Sequence, residues 1–212
     1  MQFRGRRQGC CVKLWLPLPS IMGREKIFRF KQFSVLNDRT AMKVGTDGVL
    51  LGAWCPVVGA RRVLDVGTGC GVIALMVAQR NSDALITGID IDEGAVDEAA
   101  INFANSPWAK RLTATLADFN GWTAGDRYDL IISNPPYFTN GVLPSGDARI
   151  QARHTHSLTY RQLIEGASSL LTEDGSLAFI SPVDAEGEII ATAPFNHITR
   201  SDVERAIERF KG

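Results

Sequence analysis

From Arg61 onward, short apolar runs and longer stretches of helical period take turns along the chain. The runs "RVLDV" (62–66), "ALITGID" (84–90), "RLTATLAD" (111–118), "YDLIIS" (128–133) and "GSLAFIS" (175–181) have strand length and β-favouring residues. Between them, "VIALMVAQR" (72–80), "EGAVDEAAINFAN" (93–105) and "SLTYRQLIEGASSLL" (157–171) carry apolar residues at helical spacing. This alternation predicts an α/β fold: a doubly wound, mostly parallel sheet with helices on both faces and right-handed crossovers. In such sheets ligands bind beyond the carboxyl ends of the strands. The residues that directly follow each run are therefore the ones to inspect.

Composition adds size and compartment. The 212 residues, 45% hydrophobic and 22% charged, suffice for one full core. Cys10 and Cys11 are adjacent while Cys55 and Cys70 stand alone, a spacing that fits neither a disulfide framework nor a metal site. Free thiols in a reducing cytoplasm are the expectation. No segment approaches the ~20 apolar residues of a membrane helix. Lys13, Pro17 and Pro19 break the N-terminal patch that would otherwise read as a signal peptide. Net charge is zero but unevenly spread: residues 1–43 carry +8 and the remainder −8. A basic arm on an acidic body points to a polyanionic partner such as nucleic acid.

After the first strand comes "DVGTGCG", with Asp65, Gly67, Gly69 and Gly71. Glycines here let the backbone turn sharply and let a ligand approach closely. The dinucleotide fingerprint is G-x-G-x-x-G, and Val72 stands where its third glycine would fall, which weighs against a nicotinamide cofactor. Asp65 would repel a pyrophosphate but suits a cationic ligand, such as the sulfonium and ammonium of S-adenosyl-L-methionine. Asp90 ends the second strand, where an acidic side chain can accept ribose hydroxyls. Asp118 ends the third and precedes Phe119, a pair suited to an adenine amino group and its ring face. With the glycine turn, these three acidic strand ends resemble a class I S-adenosylmethionine-dependent methyltransferase, a Rossmann-like fold.

The fourth strand delivers "SNPPYF" (133–138). Two prolines remove two backbone donors and stiffen the chain, so Asn134, Pro135 and Tyr137 leave the strand on a rigid loop. In the methyltransferase setting this resembles the motif of enzymes that methylate planar amino groups. Such nitrogens are poor nucleophiles because their lone pair is delocalised. The Asn134 carboxamide oxygen and the Pro135 carbonyl can accept both N–H bonds and aim the lone pair at the methyl carbon. Tyr137 can stack on the flat target, as extruded bases are held by aromatic side chains.

The stretch "FRFKQFSVLNDRTAMKVGTDGVLLGAW" (28–54) narrows the target. With "VLDVGTGCG", "SNPPYF" and "ARH", it resembles the bacterial tRNA adenine-N6 methyltransferases that modify the adenine beside the anticodon of a valine tRNA. The resemblance implies tRNA as partner and a 42–49 loop over the methionine part of the cofactor, bringing Lys43, Gly45 and Thr46 to it. Asp47 is expected to cap a helix starting near Gly48, with Leu50, Leu51 and Trp54 packed on the sheet. Phe138, Arg149, Arg153 and His154, with Lys26, Arg29 and Lys31, are the expected RNA contacts. His154 and His156 have no further ligand nearby, so no metal site is expected.

The layout expected is a disordered extension (1–21), a cofactor-lid and substrate segment (22–60) and the methyltransferase domain (61–212), with no membrane contact. A monomer is the expectation, a dimer the alternative. Methylation of a release factor's glutamine amide shares the asparagine–proline motif but calls for a sizeable substrate domain in front. A DNA adenine methyltransferase would call for a target-recognition domain. A non-catalytic RNA-binding protein of the same fold is the other competing reading. Residues 183–212 show a capping box at Ser201 and Glu204 and at most one short strand near 195–199, which leaves the usual C-terminal edge hairpin doubtful.

Overall fold

The computed structural model describes residues 27–40, 42–135, 158–182 and 185–192. A two-stranded antiparallel hairpin, β1 (Ile27–Arg29) and β2 (Ser34–Leu36), leads into helix α1 (Thr46–Trp54). The main body alternates β3 (Arg62–Val66), α2 (Val72–Arg80), β4 (Leu85–Asp90), α3 (Glu93–Ala104), β5 (Leu112–Leu116) and β6 (Tyr128–Ser133). It continues with α4 (Tyr160–Leu170), β7 (Leu171–Phe179) and α5 (Glu186–Thr192).

Strands β3 to β7 form one sheet in the order β5-β4-β3-β6-β7, and every pairing is parallel. The chain winds outward from β3 through β4 to β5, then returns to the other side of β3 with β6. That reversal opens a crevice beyond the ends of β3 and β6, where ligands of such folds bind.

Side chains alternate faces along a strand, and the two central strands feed two cores. Val63, Leu130 and Ile132 pack with α1, α2 and α3 through Leu51, Leu75, Ala99 and Phe103. Leu64, Val66 and Ile131 pack the opposite face against Leu163 and Ala167 of α4. Tyr160 and Ile164 continue to Ile189 of α5. Both faces are covered, which explains why the central strands read as largely apolar runs without strict alternation.

Several details differ from expectation. Helix α1 starts at Thr46 after Gly45, without a side-chain cap; Asp47 lies in its first turn, where a negative charge favours the helix dipole. Leu51 packs on α2, whereas Leu50 and Trp54 are each 44% exposed. Strand β7 begins at Leu171, four residues before the apolar run, across a register irregularity opposite Tyr128. The hairpin β1–β2 and helix α5 were not foreseen. The extension 1–21, Lys26 and the C-terminal region beyond 192, with its expected short strand and helix, lie outside the described residues.

Candidate active site

Gly67 and Gly69 both take positive φ, 69° and 54°, and nothing lies within 4 Å of where a Cβ on either would stand. The turn therefore presents bare backbone to open space. Gly71 ends it in the left-handed region at the start of α2, with the Phe103 ring packed where its side chain would be. The amides of Gly67 and Thr68 both donate to the Ile89 carbonyl at 2.9 Å, fastening the turn to the end of β4.

Asp90 braces the same turn. Its Oδ2 accepts from the Gly69 amide at 2.9 Å and its Oδ1 from the Asp92 amide at 3.0 Å. Each oxygen retains a further lone pair for a ligand hydroxyl. Burial raises its pKa above the ordinary carboxylate value, opposed by those amide bonds.

Asp65 is fully buried on the α1–α2 side of the sheet. Its Oδ2 accepts from Thr68 Oγ1 at 2.7 Å and from the Ala74 amide at 3.2 Å, while its buried Oδ1 has no partner among the described residues. Loss of water raises its pKa to about 6, with the neighbouring Asp90 charge adding to the effect.

Val66 and Ser133 are register partners, and Ser133 Oγ donates to the Val66 carbonyl at 2.9 Å. The next residues on the two strands are Gly67 and Asn134, so the carboxamide leaves β6 beside the glycine turn. Asn134 is half-buried, and its Oδ1 is a buried acceptor with no partner among the described residues. A Cβ added to Gly48 would stand 3.7 Å from Asn134 Nδ2, so the first turn of α1 lies against this amide. Pro135, the next residue, is buried. A buried acceptor left open costs free energy until something donates to it, and two such oxygens here suit a cationic or N–H-bearing ligand.

Other expected residues are placed less simply. Asp118 is exposed and caps a short 3-10 turn, accepting from the Asn120 amide at 2.9 Å. Phe119 is only 6% exposed and sits in the core under α4, where a Cβ on Gly166 would come within 2.6 Å of its Cε1. The free ring face expected of Phe119 is thus taken up by packing. Lys43, expected at the cofactor, donates its ammonium to the carbonyls of Asn37 (3.3 Å), Asp38 (2.8 Å) and Thr40 (2.9 Å). Gly45 and Thr46 are exposed at the start of α1, and Arg29 and Lys31 are exposed on the hairpin. Tyr137, Phe138, Arg149, Arg153 and His154 lie outside the described residues.

Sequence reasoning missed two buried polar residues of α3, Glu98 and Asn102. The available signal was their spacing, since polar residues four apart fall on the same helix face as Ala95 and Ala99. Among the described residues no group of three or more His, Cys, Asp or Glu could hold a metal, and no helix is long and apolar enough to cross a membrane.

A parallel sheet that reverses at β3, with a bare glycine turn and an open carboxamide at the reversal, is the layout of a Rossmann-like α/β fold with its ligand site at the switch point. Residues 49–202 match the family described as Methyltransferase small domain, and the chain belongs to that family. It is 46% identical over 172 residues to a Bacteroides thetaiotaomicron protein named tRNA1(Val) (adenine(37)-N6)-methyltransferase, covering 81% of this chain and 73% of the relative. An Aeromonas salmonicida protein of the same name is 49% identical over 170 residues, covering 80% and 72%. A solved structure described as a predicted O-methyltransferase from Agrobacterium tumefaciens shares the fold at a TM-score of 0.52 and 22% identity, covering 69% of this chain and 66% of that one.

Proposed function

We propose that this chain transfers a methyl group from S-adenosyl-L-methionine to the exocyclic N6 amino group of an adenine in tRNA. The names of its relatives favour the adenine at position 37 of a valine tRNA. The observation that carries the chemistry is Asn134: a buried, open acceptor at the end of β6, next to the Gly67 turn.

The residues present fit the cofactor. Gly67 and Gly69 leave room for close approach, Asp90 keeps lone pairs for the ribose hydroxyls, and Asp65 offers an open oxygen to a cationic group. Gly45 and Thr46 bring the first amides of α1 to the methionine end, and Asp118 takes the adenine amino group. Lys43 acts at one remove by holding the loop before α1. When bound, S-adenosyl-L-methionine supplies an electrophilic methyl group on a positive sulfur.

Asn134 Oδ1 and the Pro135 carbonyl accept the two N–H bonds of the target amine, drawing its lone pair out of the ring system. Fixed acceptors cost no reorganisation as charge develops, which is where such sites gain their rate. No base is needed before transfer, because the methylated nitrogen loses its proton afterwards. Tyr137 and Phe138 stack on the base, a contribution of ~1–3 kcal/mol. Arg29 and Lys31, with Lys26, Arg149, Arg153 and His154, contact the RNA backbone. A tRNA target assigns the work to the cytoplasm.

The test is incubation of the full chain with methyl-labelled cofactor and, in separate reactions, total tRNA, DNA and a release factor. Label in N6-methyladenine of tRNA is the expected result. Label on the release factor alone would overturn the substrate.

A further inference from the structure

We propose that Glu98 and Asn102 are positioning residues that tie the Leu36–Thr40 segment to the cofactor turn, so that ligand binding at the turn steadies that segment. The inference rests on the cofactor reading above. Both side chains come from α3, one turn apart, and both are buried, Glu98 completely.

Glu98 gathers three consecutive backbone amides. Its Oε2 accepts from Arg39 at 2.9 Å and Thr40 at 2.8 Å, and its Oε1 accepts from Asp38. A buried carboxylate is costly unless donors surround it, and here all the donors belong to one short loop. The carbonyls of the same loop turn the other way, onto the Lys43 ammonium. The loop is held by an anion through its amides and by a cation through its carbonyls, which fixes its path into α1.

Asn102 makes the link to the cofactor side. Its Oδ1 accepts from the Leu36 amide at 2.7 Å, and its Nδ2 donates to the carbonyls of Leu36 and Cys70, each at 2.8 Å. Cys70 belongs to the glycine turn, between Gly69 and Gly71. One carboxamide thus bonds both the end of β2 and the turn. The other end of α3 is fastened to the same turn through Asp90, which accepts from both Gly69 and Asp92. From Thr40 the chain runs on to α1, whose Gly48 faces Asn134. The polar pair therefore joins the hairpin, the glycine turn and the helix against the catalytic amide. Neither side chain touches the reacting atoms.

Hydrogen–deuterium exchange on the unmodified full chain, with and without saturating S-adenosylhomocysteine, is the first arm. The amides of Asp38, Arg39 and Thr40 are expected to exchange about fivefold or more slowly with ligand, as ligand-coupled local opening requires. The second arm is Asn102→Asp, which keeps the shape and one acceptor but sets a carboxylate oxygen against two carbonyls. Its Kd for S-adenosylhomocysteine by calorimetry at pH 8 is expected to rise about tenfold, with turnover at saturating cofactor within about threefold. Relative to wild type at each pH, the defect is expected to shrink at pH 5.5, where a protonated carboxyl can again donate. Ligand binding without protection at residues 38–40 overturns the inference, and so does an Asn102→Asp protein that folds and binds normally. If Asn102→Asp does not fold, exchange on wild type decides alone. If wild type binds no S-adenosylhomocysteine, the cofactor reading fails and takes this inference with it.

Discussion

The Asn134 carboxamide lies against the first turn of α1, where a Cβ on Gly48 would stand 3.7 Å from Asn134 Nδ2 and 3.9 Å from Ile73. Those are ordinary contact distances, so one added methyl fits. Gly48→Ala is expected to raise stability by roughly 0.5–1 kcal/mol through helix propensity, read as a higher urea midpoint. Gly48→Leu has no such room, and it should lower turnover more than cofactor affinity by displacing the amide. Equal effects of both substitutions on turnover would argue that Asn134 does not depend on this contact.

Asn134→Ala removes the open acceptor while leaving the glycine turn intact. Turnover is expected to drop by ~10²–10³-fold, the scale of losing one preorganised polar contact to the transition state. Calorimetry with S-adenosylhomocysteine should find affinity largely kept. Turnover near wild type would end the acceptor role.

Asp90→Ala deletes two amide contacts and the lone pairs offered to the cofactor. Kd for the cofactor should rise by roughly 10- to 100-fold, in line with hydrogen bonds to a charged group. An unchanged Kd would remove Asp90 from the site.

Because burial moves the Asp65 carboxyl from 3.8 to about 6, the folded chain holds a proton that the unfolded chain releases within that window. This group's contribution is most favourable below the lower value and declines as pH rises through the window. Above it, a cost of order 3 kcal/mol remains. Asp65→Asn is expected to flatten the slope of urea-unfolding free energy between about pH 4 and 6. A slope equal to that of wild type would rule out Asp65 as its source.

Gly166 makes room for Phe119, whose Cε1 would lie 2.6 Å from an added Cβ. Gly166→Ala overpacks that contact and is expected to cost ~1–3 kcal/mol, seen as a fall of roughly 2–10 °C in Tm. No fall would show that the ring can move aside.

Much of the scaffold was legible because long periodic segments are strongly determined. Helix α2 spans Val72–Arg80 and β6 spans Tyr128–Ser133, the bounds that the pattern of apolar residues predicts. The hairpin escaped notice because three-residue strands are too short to show a period. Asp47 misled because a capping residue and a first-turn acid look alike in sequence; only the backbone at Gly45 separates them. That Asp65 and Asp90 would stand beside the glycine turn could be read from position alone, since topology dictates where strand ends meet. For Glu98 and Asn102 the spacing marks a shared helix face with Ala95 and Ala99 but not what they bond. The partners of Glu98 are backbone groups 58 to 60 residues away and those of Asn102 are 66 and 32 residues away, and no side-chain pattern announces a bond to a main-chain group. The burial of Phe119 was hidden for a related reason, because the room for its ring is decided by the absence of a side chain at Gly166.

The hydroxyl of Ser133 reaches back to a strand made 67 residues earlier. At ribosomal speeds of about 5–20 residues per second, roughly 3–13 s separate the synthesis of the two partners. The nascent chain can thus complete β3, β4, β5 and the glycine turn between them while the centre of the sheet still has one naked edge. Until β6 arrives that edge is a sticky template; the strand that leads into Asn134 covers it and in turn offers its own free edge until β7 is made.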